Sequence, residues 1–146
     1  MLIACGGATE PHFTQPGLQP AELAGEWVGS NADVELELQT SVFVITQCLF
    51  GPCTMPVLAH KGRYRIVATG ETGDVVEGNN GGLSPLDDEI IIFIFTSFVD
   101  NTQTSYTFSG GATTKDEIRG YFRRRTLVIG SQTVEADSSG LTLRRK

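Results

Sequence analysis

The sequence predicts an all-β protein, an antiparallel up-and-down meander of about eight to ten strands closed into a β-barrel, with a β-sandwich as the alternative. Three observations carry this. Apolar and polar residues alternate with period two through most of the chain. Turn-forming residues interrupt these runs at short intervals. The 17 glycines, with many Val, Ile, Thr and Phe, favour pleated structure over helix. A chain of 146 residues supports one domain with its own core. Its 40% apolar and 19% charged residues suit a folded globular chain rather than a disordered one. The sequence holds no apolar run of about 18 residues, which excludes a helical membrane span within it.

The elements follow in order. Residues 6–21 hold three prolines and three glycines without an apolar period, and read as a flexible linker. A short helical turn is expected near Pro20 to Leu23. The β-domain then occupies residues 22–146. Val34, Leu36 and Leu38 share one strand face, with Asp33, Glu35 and Glu37 on the other. Val42, Val44 and Thr46 alternate with Phe43, Ile45 and Gln47. Tyr64, Ile66 and Ala68 alternate with Arg63, Arg65 and Val67. Tyr106 and Phe108 alternate with Thr107 and Ser109. Ile118, Gly120 and Phe122 alternate with Arg119, Tyr121 and Arg123, and Leu141 and Leu143 with Thr142 and Arg144. Turns are expected at Ser30-Asn31, Thr40-Ser41, Gly70 to Gly73, Asn79 to Gly82, Asp100-Asn101, Gly110-Gly111 and Ser138 to Gly140. Residues 90–95 are apolar on both faces, so one face needs a cover. That cover is the chain's own 49–60 loop, or else a dimer or protein partner. Asp87-Asp88-Glu89 reads as a charge cluster guarding this strand; three consecutive carboxylates on an extended strand cannot all face one metal ion.

Charge is uneven. Residues 1–114 carry three basic and thirteen acidic groups, and residues 115–146 eight basic and four acidic. A net charge of −6 argues against nucleic acid as a partner. The C-terminal basic residues read as outward strand charges that keep the sheet soluble.

Leu2-Ile3-Ala4-Cys5-Gly6 resembles the lipobox of bacterial lipoproteins, with residues 1–5 as the remnant of an export signal. The resemblance implies lipid on Cys5, a membrane anchor, and a place in the cell envelope at the periplasmic face of the outer membrane. The remaining cysteines are an even pair. In Cys48-Leu49-Phe50-Gly51-Pro52-Cys53 the Gly-Pro step turns the chain back, which in an oxidising compartment reads as a local disulfide. Zinc would want four ligands, and redox motifs separate their cysteines by two residues rather than four.

Gly25-Glu26-Trp27 on the first strand, with Arg144 or Arg145 on the last, resembles the calycin pattern of lipocalin-like barrels. The resemblance implies Gly25, Trp27 and Arg144 as a closure signature, with a basic side chain across the indole. It also implies a small apolar ligand inside the barrel. Candidate lining residues are Tyr64, Ile66, Phe93, Phe95, Tyr106, Phe108 and Phe122. No enzyme motif, cofactor loop or metal-ligand spacing stands out, so a non-enzymatic binding protein is expected, with neither cofactor nor metal. The alternative is a protein-interaction module of the envelope. Small periplasmic metalloprotease inhibitors likewise combine an eight-stranded barrel, one disulfide and an N-terminal trunk, a role residues 6–21 would take.

Overall fold

The computed structural model describes residues 14–79, 91–130 and 134–146, and only the backbone of 76–79, 91–99 and 135–137. Cys5, residues 6–13 and the 87–89 acidic cluster lie outside the described residues. A four-residue helix α1 (Pro20–Leu23) precedes eight described strands: β1 (Gly25–Ser30), β2 (Val34–Cys48), β3 (Gly51–Ile66), β4 (Thr72–Asn79), β5 (Ile91–Val99), β6 (Thr102–Thr114), β7 (Glu117–Val128) and β8 (Val134–Arg145). They form one antiparallel sheet in the order β4-β3-β2-β1-β8-β7-β6-β5. Every pair but β1–β8 is consecutive in sequence, as an up-and-down meander requires. The first strand pairs with the last, Trp27 opposite Arg145, and β4 and β5 at the two ends of the order approach each other. The chain is therefore an all-β, barrel-like meander.

Period-two alternation decides what lies inside. Val34, Leu36, Leu38 and Thr40 of β2 are buried while Glu35, Glu37 and Gln39 are exposed. The inner residues of β3, β6, β7 and β8 join Val34, Leu36 and Leu38 in one core, with Phe108, Ile118 and Leu143 fully buried. Gly110 of β6 lies opposite Gly120 of β7, and a Cβ on either would strike the facing backbone. Gly110-Gly111 is thus not the expected turn; the glycines let two inner strand surfaces close up within unbroken strands. Ser138 to Gly140 likewise lies inside β8, and Thr40-Ser41 inside β2. The Thr40 hydroxyl donates to the Leu23 carbonyl at 2.6 Å, which keeps the strand against α1 instead of turning it. His60, opposite Thr40, is 4% exposed, and burial pushes its imidazole down to about 4.

One end of the barrel is plugged. Trp27 is buried under α1, and its indole N–H donates to the Leu23 carbonyl and to Thr40 Oγ1, each at 3.1 Å. The Arg145 guanidinium lies 4.6 Å from the indole centroid. It donates to the carbonyls of Ala24 at 2.8 Å, Glu22 at 2.5 Å and Lys115 at 2.5 Å, and pairs with Asp116 at 2.9 Å. One cation thus binds the helix, the first strand and the β6–β7 turn. Gly25, at φ +144°, leaves the guanidinium room that a Cβ would fill.

Two expectations change. The closing cation is Arg145, not Arg144. Leu141 and Leu143 face inward, so parity turns Arg145 in with them and Arg144 out, where it pairs with Glu117 at 2.7 Å. The linker also ends earlier. The Gln15 amide donates to the Ala112 carbonyl at 2.8 Å, the Ala112 amide donates to Thr14 Oγ1 at 3.3 Å, and Leu18 packs on the core. Residues 14–21 belong to the packed body, because Thr14 and Pro20 are buried, Leu18 packs on the core, and Thr14 and Gln15 satisfy the β6 backbone at Ala112.

Two outcomes are expected in urea unfolding. Arg145→Ala should cost about 3 kcal/mol through lost charged hydrogen bonds and the indole contact, and Arg144→Ala about 0.5 kcal/mol or less. His60 binds its proton more weakly folded than unfolded, so stability should be full above pH 6.5 and fall as pH drops toward about 4. The loss should approach about 3 kcal/mol, and His60→Leu should flatten that window.

Candidate functional site at the barrel mouth

The end opposite α1 carries the β1–β2 and β3–β4 turns and is the barrel mouth. Tyr64 of β3 and Tyr106 of β6 point inward as alternation dictates, with ring centroids 5.4 Å apart. Tyr106 stacks in turn on Phe122, 5.7 Å away. Three aromatic rings thus form a continuous row across the inner wall. The β3–β4 loop folds back to place Glu71 over it, its carbonyl accepting from the Ile66 amide at 2.8 Å. The Tyr64 hydroxyl donates to Glu71 Oε1 at 3.2 Å and the Tyr106 hydroxyl to Glu71 Oε2 at 3.5 Å. Burial first, then the negative charge of Glu71, pushes the Tyr106 phenol up to about 12. Arg124 lies opposite Tyr106 on β7, and its charge pulls the other way. The mouth therefore joins an apolar, aromatic wall to a carboxylate, a guanidinium and two phenols. Tyr64, Tyr106 and Phe122 are only 2–6% exposed, so a molecule would use this row only by displacing part of it.

The structure brings most of the expected lining residues together. Tyr64, Ile66, Tyr106, Phe108 and Phe122 are all members of the core, between 0% and 6% exposed. Phe93 and Phe95 pair in register with Phe108 and Tyr106, while their side chains lie outside the described residues. The same holds for the apolar faces of residues 90–95. Cys48 and Cys53 are disulfide-bonded with Cα atoms 5.8 Å apart, at the tip of the β2–β3 hairpin. Gly25 and Trp27 sit at the plugged end, far from the mouth. Sequence reasoning missed Glu71, which stands among turn residues, and Arg124, which reads as one of three consecutive surface arginines. Arg124 shares the strand phase of buried Phe122, but Arg123, Arg124 and Arg125 are all exposed, and only its charge on Tyr106 marks it.

A second concavity of about 930 Å³ runs along the outside of β8, β1, β2, β3 and β4. Its walls are charged. Glu35 takes a two-pronged contact from Arg65 at 2.5 and 2.8 Å, and Arg63 approaches Asp74 at 3.9 Å. The Arg65 hydrogen bonds hold the Glu35 carboxyl below its ordinary range. Among the described residues no group of three or more His, Cys, Asp or Glu side chains converges as a metal site would require.

Comparison of the chain with protein-family models, curated proteins and solved structures finds no match.

Replacing Glu71 by Gln should lower the Tyr106 phenol, yet leave it above 10, because burial remains. A phenol raised on folding stabilises the fold below pH 10 and loses that contribution as pH climbs toward about 12. Ultraviolet titration of phenolate in the two proteins reads the shift directly; coincident curves would detach Glu71 from Tyr106.

Proposed function

We propose that the chain is a lipid-anchored protein of the cell envelope that binds a small, mainly apolar molecule with one polar end at the barrel mouth. One observation carries this reading: the Tyr64, Tyr106 and Phe122 row ends in Glu71, which holds both phenols. The apolar body of the ligand would lie on the aromatic wall, and its polar end would exchange for the long Tyr106 to Glu71 hydrogen bond. Small eight-stranded barrels have room for one such ligand at most. The lipobox-like run ending at Cys5 supports the anchor, and the Cys48–Cys53 disulfide supports an oxidising compartment. The role is binding rather than catalysis.

The charged outer groove favours a second reading, an envelope protein docked on β1 to β4. The two separate by mutation. Protein purified from a bacterial envelope is examined by native mass spectrometry for a bound small molecule. The mouth reading expects a co-purifying mass that falls about tenfold in Tyr106→Leu, as loss of about 1.4 kcal/mol implies, and survives in Arg63→Glu with Arg65→Glu. No bound mass, with an envelope protein captured by crosslinking and lost in the arginine variant, would favour the groove instead.

A further inference from the structure

We propose that the end of the β2–β3 hairpin, from Phe43 to Met55, is a lipid-contacting finger, whose tip residues Leu49 and Phe50 enter the interfacial region of the bilayer that anchors the chain. The inference rests on the reading of Cys5 as the lipid anchor.

β1 stops pairing with β2 at Thr40, while β2 and β3 run on together to Cys48 opposite Gly51. The base of this extra length still packs on the body, with Val42 against the core and Val57, Leu58 and Ala59 buried; from Phe43 to Met55 it continues as an exposed two-stranded ribbon at the plugged end. Leu49 and Phe50 at its tip are 97% and 102% exposed, which no soluble surface rewards. Behind them Phe43, Val44 and Met55 are exposed as well. Phe43 and Val44 are neighbours, so they face opposite sides of the ribbon. No residue from Ser41 to Ala59 carries a charge, whereas the same strands inside the barrel carry Glu35, Glu37, Lys61, Arg63 and Arg65 outward. At the hairpin's base Val57 and Leu58, on opposite faces, are both buried; beyond them both faces are exposed. A lipid interface surrounds both, and suits an uncharged finger with apolar residues on each side. The Cys48–Cys53 disulfide closes the tip, so its two large side chains are presented together.

The N-terminus points the same way. Thr14 and Gln15 are held by Ala112 beside the β6–β7 turn, at the same plugged end. The chain from Cys5 to Thr14 can span at most about 30 Å. From Thr40 to Leu49 the strand advances about 30 Å. An anchored Cys5 therefore cannot hold the plugged end farther from the membrane than the finger reaches. Immersion is shallow, because among the described residues the ribbon's outer backbone edges have no strand partners and are costly in hydrocarbon.

The test uses the full 146-residue chain, unlipidated, coupled through Cys5 to a maleimide headgroup in phosphatidylethanolamine and phosphatidylglycerol vesicles. Chemical coupling makes the outcome independent of whether cells lipidate Cys5, which mass spectrometry of envelope-derived protein reads separately. In Phe50→Trp the introduced indole should be quenched by brominated lipid, while Trp27, 1% exposed, is not. The uncoupled chain carrying Leu49→Ser and Phe50→Ser should bind the same vesicles about 100-fold more weakly than its parent, the loss expected for two exposed apolar side chains. An unquenched indole in the coupled chain, or equal vesicle binding by the two chains, would overturn the proposal.

Discussion

Arg145 is the side chain that ties the first strand of this sheet to the last. Its guanidinium lies on the Trp27 indole and donates to Glu22, Ala24 and Lys115 carbonyls while pairing with Asp116. The contacts join the first and last strands of the meander, which pair directly at the middle of the sheet order. A cation so placed repays its partial desolvation with several charge-assisted hydrogen bonds. Trp27 and Thr40 extend the knot inward by capping Leu23, whose carbonyl accepts from both. The short helix α1 could not stand alone in water, and here it exists because these donors hold its carbonyls.

Plugging one end gives the molecule two ends of different character. At the far end alternation brings Tyr64 and Tyr106 to the inner face, with Arg124 exposed beside Tyr106, and a loop delivers Glu71. The near end carries α1, the docked residues 14–21 and the uncharged ribbon. In the reading proposed above, the plugged end faces the membrane and the mouth faces away from it. Ligand binding and anchoring then occupy opposite poles of one small barrel and do not compete for surface.

Much of this was legible in the sequence because β-structure writes itself with period two. Val34 to Thr40, Ile118 to Phe122 and Leu141 to Leu143 announced their inner faces, and the Cys48–Cys53 pair announced its hairpin. Parity also held what the motif alone left open: the inward arginine of the last strand is the one in step with Leu143. Other features were hidden for physical reasons. Glycine marks turns and also close strand approach, so Gly110-Gly111 carried two meanings that only a facing Gly120 separates. Residues 14–21 looked like a tether because docking on β6 depends on a strand almost one hundred residues away. Glu71 had no local signal, since its role arises from two tyrosines on different strands. The ribbon beyond Thr40 was readable as strand only from Val42 to Gln47, with a turn expected at Thr40-Ser41 and a loop over 49–60, whereas β2 and β3 run on as one hairpin past the end of β1.

Hydrogen exchange of the last two residues probes the closure itself. The Arg145 amide donates to Asp116 at 3.0 Å and the Lys146 amide to Glu26 at 2.9 Å. Chain ends ordinarily fray and exchange freely. If Arg145 locks the first strand to the last, these two amides should exchange only through global unfolding, as slowly as those of Ile118 and Phe122 on β7. Exchange at fraying rates while β7 remains protected would show that the barrel holds together without the knot.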